Sequence, residues 1–361
     1  MKKPGYFPQL TGIRAIAAYM VFIHHYIIAY QNKLPRKAYA MLSELHIGVT
    51  VFFVLSGFLI AYRYMDKVEV SRKWVYQYFK NRVARIYPMY FLLTTAAFLY
   101  YHYHNAPDAT IPIYLLNITF LRGFFSDYKF TGIAQGWSLT VEECFYALAP
   151  VMFLLRKRIN IWVIAIFTIG FALMITTIFK DSGFHGFFGS PWFVFNYTYF
   201  GRCVEFIIGI QLAIAIKKKQ VVENKGFAYT IIGAIGIIAC LYLYTFFPAG
   251  PNFTASNNTI VRIFINSGVC AAFISILFYG LITEMSLFRT FLSTSLMKLL
   301  GESSYIFYLI HLGFIYEMIS NHIPPFSGVV LLMFIVINIA SIILYKFIEH
   351  PLNNWIRSHF N

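Results

Sequence analysis

The chain has 361 residues, of which 12% are charged, 59% hydrophobic and 20% aromatic, and its mean hydropathy is +0.65. A soluble domain usually carries about a quarter charged residues. A water-soluble core of this length has no room for so much apolar surface. An ordinary soluble enzyme, a disordered chain and a secreted disulfide scaffold are therefore excluded. The net charge of +15 would elsewhere suggest nucleic acid. Here the basic residues lie mostly between apolar runs, where they set topology and meet anionic headgroups or phosphorylated ligands. The expectation is an all-α, polytopic membrane helix bundle with no nucleic-acid partner.

A spanning helix needs roughly 20 mostly apolar residues. In chain order the candidates are Ile13 to Tyr30, His46 to Tyr62, Ile86 to Tyr103, Trp137 to Leu155 and Ile161 to Phe179. Phe193 to Ile216, Phe227 to Phe247, Ile260 to Ile282, Leu299 to Ser320 and Gly328 to Phe347 bring the number to about ten. Ile111 to Leu121 is short and flanked by proline, so it reads as a re-entrant or interfacial piece. With the N-terminus cytoplasmic, this arrangement puts 20 of the 29 Lys and Arg inside and 6 outside, with Arg14, Arg202 and Arg262 at or within spans. That asymmetry favours ten spans with both termini cytoplasmic. Met1 to Gln9 has no cleavage site, and no loop is long enough for a soluble domain, so residues 1–361 read as one membrane-embedded domain. Cys144, Cys203, Cys240 and Cys270 fall in apolar segments without metal or redox spacing and read as small buried hydrophobes. No metal site is expected.

Charges inside the hydrocarbon cost about 2.5–3.5 kcal/mol each on insertion scales and usually mark a cavity or a partner, so they form the functional shortlist. The first helix carries Arg14, His24 and His25. Arg14 and His25 are eleven residues apart. They share one face, separated by roughly 16 Å along the axis, with His24 turned about 100° away. The expected depth is Arg14 near the cytoplasmic end and His25 about halfway across. This suits a ligand with an anionic head at the surface and a reactive tip in the membrane, with His25 as general base. Arg82 and Arg85 share a helical face below the third span and match phosphate oxygens, or else anchor to lipid phosphates. Glu142 and Glu143 lie in the fourth span and need cationic or hydrogen-bonding partners. Arg202 and Glu205, three apart in the sixth, serve either as a self-contained pair or as a site. Ser304 and His311 share a face near the middle of the ninth, and Glu349 reads as an anchor where the last helix leaves the membrane. The aromatic segments Phe184 to Tyr199 and Phe247 to Asn258 suit either sugar faces or interfacial belts.

Several stretches, taken together and in order, resemble the membrane acyltransferase-3 family, the O-acyltransferases that modify bacterial surface sugars. They are Leu10-Thr11-Gly12-Ile13-Arg14 with ten residues before His25, Gly48 to Ile60, Arg82 to Tyr90 and Trp137 to Tyr146. Arg202 to Phe206, Ser304 to His311 and Glu349-His350-Pro351 complete the set. The resemblance implies that His25 is catalytic, that Arg14 is its partner, and that Arg82 and Arg85 bind the donor or shape its channel. Trp137, Glu142, Arg202, Glu205, Ser304, Tyr305 and His311 are then supporting or substrate-orienting. Thr11 stands where an aspartate is often found before the first glycine, which puts in doubt a local carboxylate partner for Arg14. The chain stops at Asn361 without the soluble hydrolase-like domain of some members, and a second, extracytoplasmic transfer step is not expected.

The expected function is an O-acetyltransferase of the bacterial cytoplasmic membrane. It moves an acetyl group from acetyl-CoA, a co-substrate rather than a bound cofactor, to a hydroxyl of a surface glycan or lipid-linked sugar. Its partners are the acyl-CoA, the glycan and the bilayer, and a homo-oligomer is left open. No Gly-x-Ser-x-Gly elbow is present to form an acyl-enzyme. The rival class is a transporter or flippase using the same buried ions, although no internal repeat is visible.

Overall fold

A computed structural model describes residues 6–180, 183–218, 226–248, 258–320 and 328–359. The regular structure among them is helical, apart from isolated bridge residues such as Phe125, which pairs with Phe187. The helices are α1 (Pro8–Tyr26), α2 (Arg36–Ser43), α3 (Gly48–Tyr64), α4 (Arg72–Tyr103), α5 (Ile111–Ile118), α6 (Trp137–Leu155) and α7 (Ile161–Phe179). Then come α8 (Pro191–Tyr197), α9 (Tyr199–Lys218), α10 (Ala228–Tyr244), α11 (Thr259–Ile263), α12 (Ala271–Thr283) and α13 (Leu287–Leu292). The last four are α14 (Ser295–Ile310), α15 (Phe314–Ser320), α16 (Val329–Leu344) and α17 (His350–His359).

Eight helical stretches among the described residues are long and apolar enough to cross a membrane. The other two expected spans differ in form. α10 has only 17 residues. The ninth is broken: α14 ends at Ile310 and α15 begins at Phe314, with Gly313 between them at φ +92°, a left-handed conformation that glycine adopts without strain. α6 and α7 have the bounds read from hydropathy. The third span begins earlier than expected, at Arg72, where Ser71 Oγ accepts from Trp74 N (3.2 Å) and caps the helix. Its 32 residues extend about 48 Å, well beyond a bilayer core of about 30 Å. α5 has eight residues, about 12 Å, too short to span by itself. The sixth span is interrupted at Thr198, which is extended (φ −116°, ψ 157°). The last runs past Phe347 through a π turn into α17, so Glu349 lies within a continuing helix. Cys203, Cys240 and Cys270 are buried, Cys144 half-buried, and all four are free thiols.

The chain divides into two compact units, each assembled from separate stretches. The first comprises residues 1–67, 151–170 and 200–302. In it α1 is held at backbone contact. A Cβ on Gly48 of α3 would strike the Ala17 carbonyl, and one on Gly12 would strike the Leu292 carbonyl. Small residues of this kind allow membrane helices to meet through dispersion and weak polar contacts, where lipid supplies no hydrophobic drive. Phe53 stacks on Phe206 at 4.8 Å in the core. Glu284 caps α10, accepting from Tyr229 N (2.8 Å), Thr230 N (2.9 Å) and Thr230 Oγ1 (2.7 Å).

The second unit comprises residues 68–150, 171–199 and 303–361. Tyrosines tie its helices together by donating to backbone carbonyls across the packing. Tyr78 donates to Tyr146 O (2.9 Å), Tyr90 to Asn117 O (2.9 Å) and Tyr305 to Ile86 O (2.8 Å). Each hydroxyl satisfies itself where water is scarce, at the end of a large apolar ring.

Candidate active site

The shortlisted residues fall into two sets, Arg14, His24, His25, Arg202 and Glu205 in the first unit and the remainder in the second. In the first unit, α1 begins at Pro8, whose fixed φ and missing N–H suit a helix start. The helix therefore starts five residues before the expected Ile13. Six residues (Pro8–Ile13) precede Arg14, and five (Tyr26–Tyr30) follow His25 in the continuous helical stretch Pro8–Tyr30. Arg14 and His25 lie toward opposite ends of that stretch. Both are half-buried. His24 and His25 occupy the last turn of α1.

Arg202 and Glu205 pair with one another. Arg202 Nε and Nη2 donate to the two carboxylate oxygens of Glu205 at 2.7 and 2.8 Å. Nη2 also donates to Thr50 Oγ1 (3.1 Å), whose hydroxyl donates onward to Asn266 Oδ1 (2.8 Å). The guanidinium faces the Phe53 ring at 5.1 Å. Arg202 is 5% exposed and Glu205 0%. The bidentate charge-assisted pair braces α9 against α3 and, through Thr50, against the π turn after α11.

In the second unit Arg82 is buried and Arg85 half-buried, one helical turn apart on α4. The Arg82 guanidinium sits over the Tyr146 ring at 5.6 Å. Tyr146 in turn donates to Glu142 one turn earlier on α6. Glu142 therefore has a phenol partner on its own helix and an arginine on the other side of that phenol. Trp137, the first residue of α6, meets the Tyr197 ring edge-on at 4.9 Å. The break in the ninth span is held from outside its own chain stretch. Gln135 Nε2 donates to Leu309 O (2.7 Å) and Leu312 O (3.3 Å). Ser138 Oγ and Tyr308 OH hydrogen-bond at 2.7 Å. His311 is fully buried, with Nδ1 donating to Tyr308 O (2.7 Å). Ser304 is buried, and Tyr305 is committed to the Ile86 carbonyl. Irregular backbone at membrane depth survives only where protein or a cavity satisfies it.

Several of these residues escape a search for charges in apolar runs. Tyr146, Gln135, Ser138 and Tyr308 are uncharged. Arg122 reads as a loop arginine, yet it is fully buried, donating to the Thr131 carbonyl and, at 2.6 Å, to Ile133 O. Burial pulls its pKa below the ordinary arginine value, and Tyr90 and Tyr308 oppose the shift. Lys129 is lowered for the same reason, against Asp127, and lies over the Phe130 ring at 4.9 Å. The aromatic segment Phe184 to Tyr199 forms part of this unit, whereas residues 249–257 of the other aromatic loop lie outside the described residues. Among the described residues no group of three His, Cys, Asp or Glu side chains is placed to hold a metal.

Comparison with known proteins places this geometry in context. The O-acetyltransferase OatA of Staphylococcus aureus is 25% identical over 98% of this chain and 58% of its own length. The acyltransferase MdmB of Streptomyces mycarofaciens is 28% identical over 84% of this chain and 78% of its own. A putative acetyltransferase of Acidianus two-tailed virus is 28% identical over 41% of each. The chain thus spans less than three fifths of the staphylococcal relative. No solved structure matches. The family model described as an acyltransferase domain matches residues 7–346, nearly the whole chain, and the protein belongs to that acyltransferase-3 family as a multi-pass membrane protein.

Proposed function

We propose that the protein is an O-acetyltransferase of the bacterial cytoplasmic membrane. It takes an acetyl group from cytoplasmic acetyl-CoA and gives it to a hydroxyl of a surface glycan or its lipid-linked precursor. The observation that carries this reading is α1 itself. One helix holds an arginine near one end and a histidine near the other, on one face and about three turns apart, within a chain that matches the acyltransferase family along nearly its full length.

In this reading the imidazole of His25 accepts the proton of the sugar hydroxyl as its oxygen attacks the thioester carbonyl carbon. The carbon–sulfur bond then breaks, and the departing thiolate takes the proton back from His25. The products are the O-acetyl sugar and free CoA. No covalent enzyme intermediate is needed, and rate comes from positioning plus one general base. Arg14 holds the anionic part of the donor, and the guanidinium forks of Arg82 and Arg85 suit its phosphates. Trp137, Glu142, Ser304 and His311 keep supporting or substrate-orienting roles. Both termini face the cytoplasm, as the distribution of Lys and Arg favours.

The test is transfer of radiolabelled acetyl from acetyl-CoA to supplied glycan by the protein in nanodiscs. His25→Ala is expected to lower turnover by about 10²–10⁴-fold, the usual contribution of a general base. Arg14→Ala is expected chiefly to raise KM for acetyl-CoA. Full turnover by His25→Ala refutes the base assignment. Glycan export that stops in His25→Ala, with no acetyl-CoA consumed by the wild type, favours a transporter.

A further inference from the structure

His25 adjoins a chain of polar side chains drawn from three other parts of the first unit. Its neighbour His24 meets it edge to face, ring centroids 5.0 Å apart. His24 Nδ1 hydrogen-bonds to the carbonyl of Ser43 at the end of α2. A carbonyl only accepts, so His24 keeps its proton on Nδ1 whether neutral or charged, and its ring cannot flip without losing that bond. His46, in the turn between α2 and α3, packs edge to face on His24 at 5.4 Å. His46 Nε2 lies 3.1 Å from Glu44 Oε2, and the same oxygen accepts from Arg262 Nη2 at 2.6 Å. Arg262, on α11, is itself seated by the Phe247 carbonyl (2.7 Å) and the Tyr244 ring (4.8 Å). Glu44 is 7% exposed, so its charge is met by these partners more than by water.

We propose that Arg262, Glu44 and His46 form a positioning arm that fixes the His24 ring and, through it, the orientation in which His25 meets the acceptor hydroxyl. This rests on the reading of His25 as the base. Glu44 Oε2 is the common partner of Arg262 and His46, so the carboxylate ties the two side chains together. It also explains why two adjacent histidines stand in the last turn of α1. One is the base, and the other is the surface against which the base is set. An imidazole free to rotate spends most of its time misaligned, and misplacement by about 1 Å costs on the order of a hundredfold in rate.

The experiment measures kcat and KM for acetyl-CoA in His46→Ala, His46→Phe and Glu44→Gln, each in nanodiscs, with folding followed by thermal unfolding. His46→Ala is expected to lower kcat about ten- to a hundredfold with KM for acetyl-CoA unchanged. His46→Phe keeps an aromatic edge against His24 and recovers part of the loss. Glu44→Gln, which retains a hydrogen-bonding partner for His46, falls between them. In a His25→Gly protein rescued by added imidazole, His46→Ala has no further effect, because a diffusing imidazole is not held by the arm. If His46→Ala does not accumulate, His46→Phe compared with His46→Leu carries the same contrast. Unchanged kcat in these variants, or equal loss of kcat in the imidazole-rescued background, overturns the arm. Full activity in His25→Ala instead overturns the base assignment.

Discussion

Removing the Glu205 carboxylate perturbs the buried pair most directly. Glu205→Ala deletes both charge-assisted bonds to Arg202 (2.7 and 2.8 Å) and takes the carboxylate away from an arginine that is only 5% exposed. Breaking a buried pair from one side costs about 3–5 kcal/mol, because the orphaned charge retains its desolvation penalty. The double variant Arg202→Met/Glu205→Leu removes both charges and fills the space with apolar atoms. Such replacements are often neutral or stabilising. Thr50 loses one donor there but still donates to Asn266. The double variant is therefore expected within about 1 kcal/mol of wild type, and to retain acetyl transfer, since a brace has no part in the chemistry. The assay is chemical unfolding in detergent followed by tryptophan fluorescence, with transfer measured in parallel. Equal destabilisation in the single and double variants refutes the brace. So does a double variant that folds normally but cannot transfer, which would return the pair to the site.

Gly48→Val drives a side chain into the Ala17 carbonyl and displaces α1 from α3. It is expected to cost about 1–3 kcal/mol by overpacking and to depress turnover, because α1 carries Arg14 and His25; a variant with wild-type stability and rate contradicts the close contact. Gln135→Leu removes the donor to the Leu309 and Leu312 carbonyls and should cost about 1–3 kcal/mol. Hydrogen exchange should speed up at residues 311–316, and unchanged protection there argues against Gln135 as the clamp. Arg122→Lys keeps the charge but loses the fork that serves two carbonyls. Limited proteolysis between residues 125 and 133 should begin at lower protease concentration than in wild type.

Most of the architecture is legible in composition and hydropathy. A chain this apolar has one solvent in which to fold, and in that solvent backbone groups are satisfied within helices, so the bundle follows from the residues themselves. α6 and α7, long apolar runs without internal breaks, are read to the residue. Hydropathy is a one-dimensional average, however, and it does not detect a local break. The run from Leu299 to Ser320 is apolar enough to read as one helix, yet it divides at His311–Gly313 because Gln135, far away in sequence, accepts the cost of the freed carbonyls by donating to them. Likewise the early start of α1 comes from Pro8, whose fixed φ begins the helix five residues before the apolar run does.

The same division holds for the candidate site. Charge in an apolar run is a local property, so Arg14, His25, Arg202, Glu205 and Glu142 stand out in the bare chain. Which of them pair is not local. Arg202 and Glu205 lie a turn apart and meet, as helix spacing allows, but Thr50 and Asn266 join them only because α3 and the π turn after α11 come together. Tyr146, Gln135 and Tyr308 carry no charge to mark them. Glu44, His46 and Arg262 sit at the edges of apolar runs, where charges are ordinary. Helical periodicity decides what a residue faces within its own helix. Tertiary packing alone decides what waits on the other side, because hydrogen bonds and ion pairs reach about 3 Å and their partners here lie up to 277 residues away in the chain.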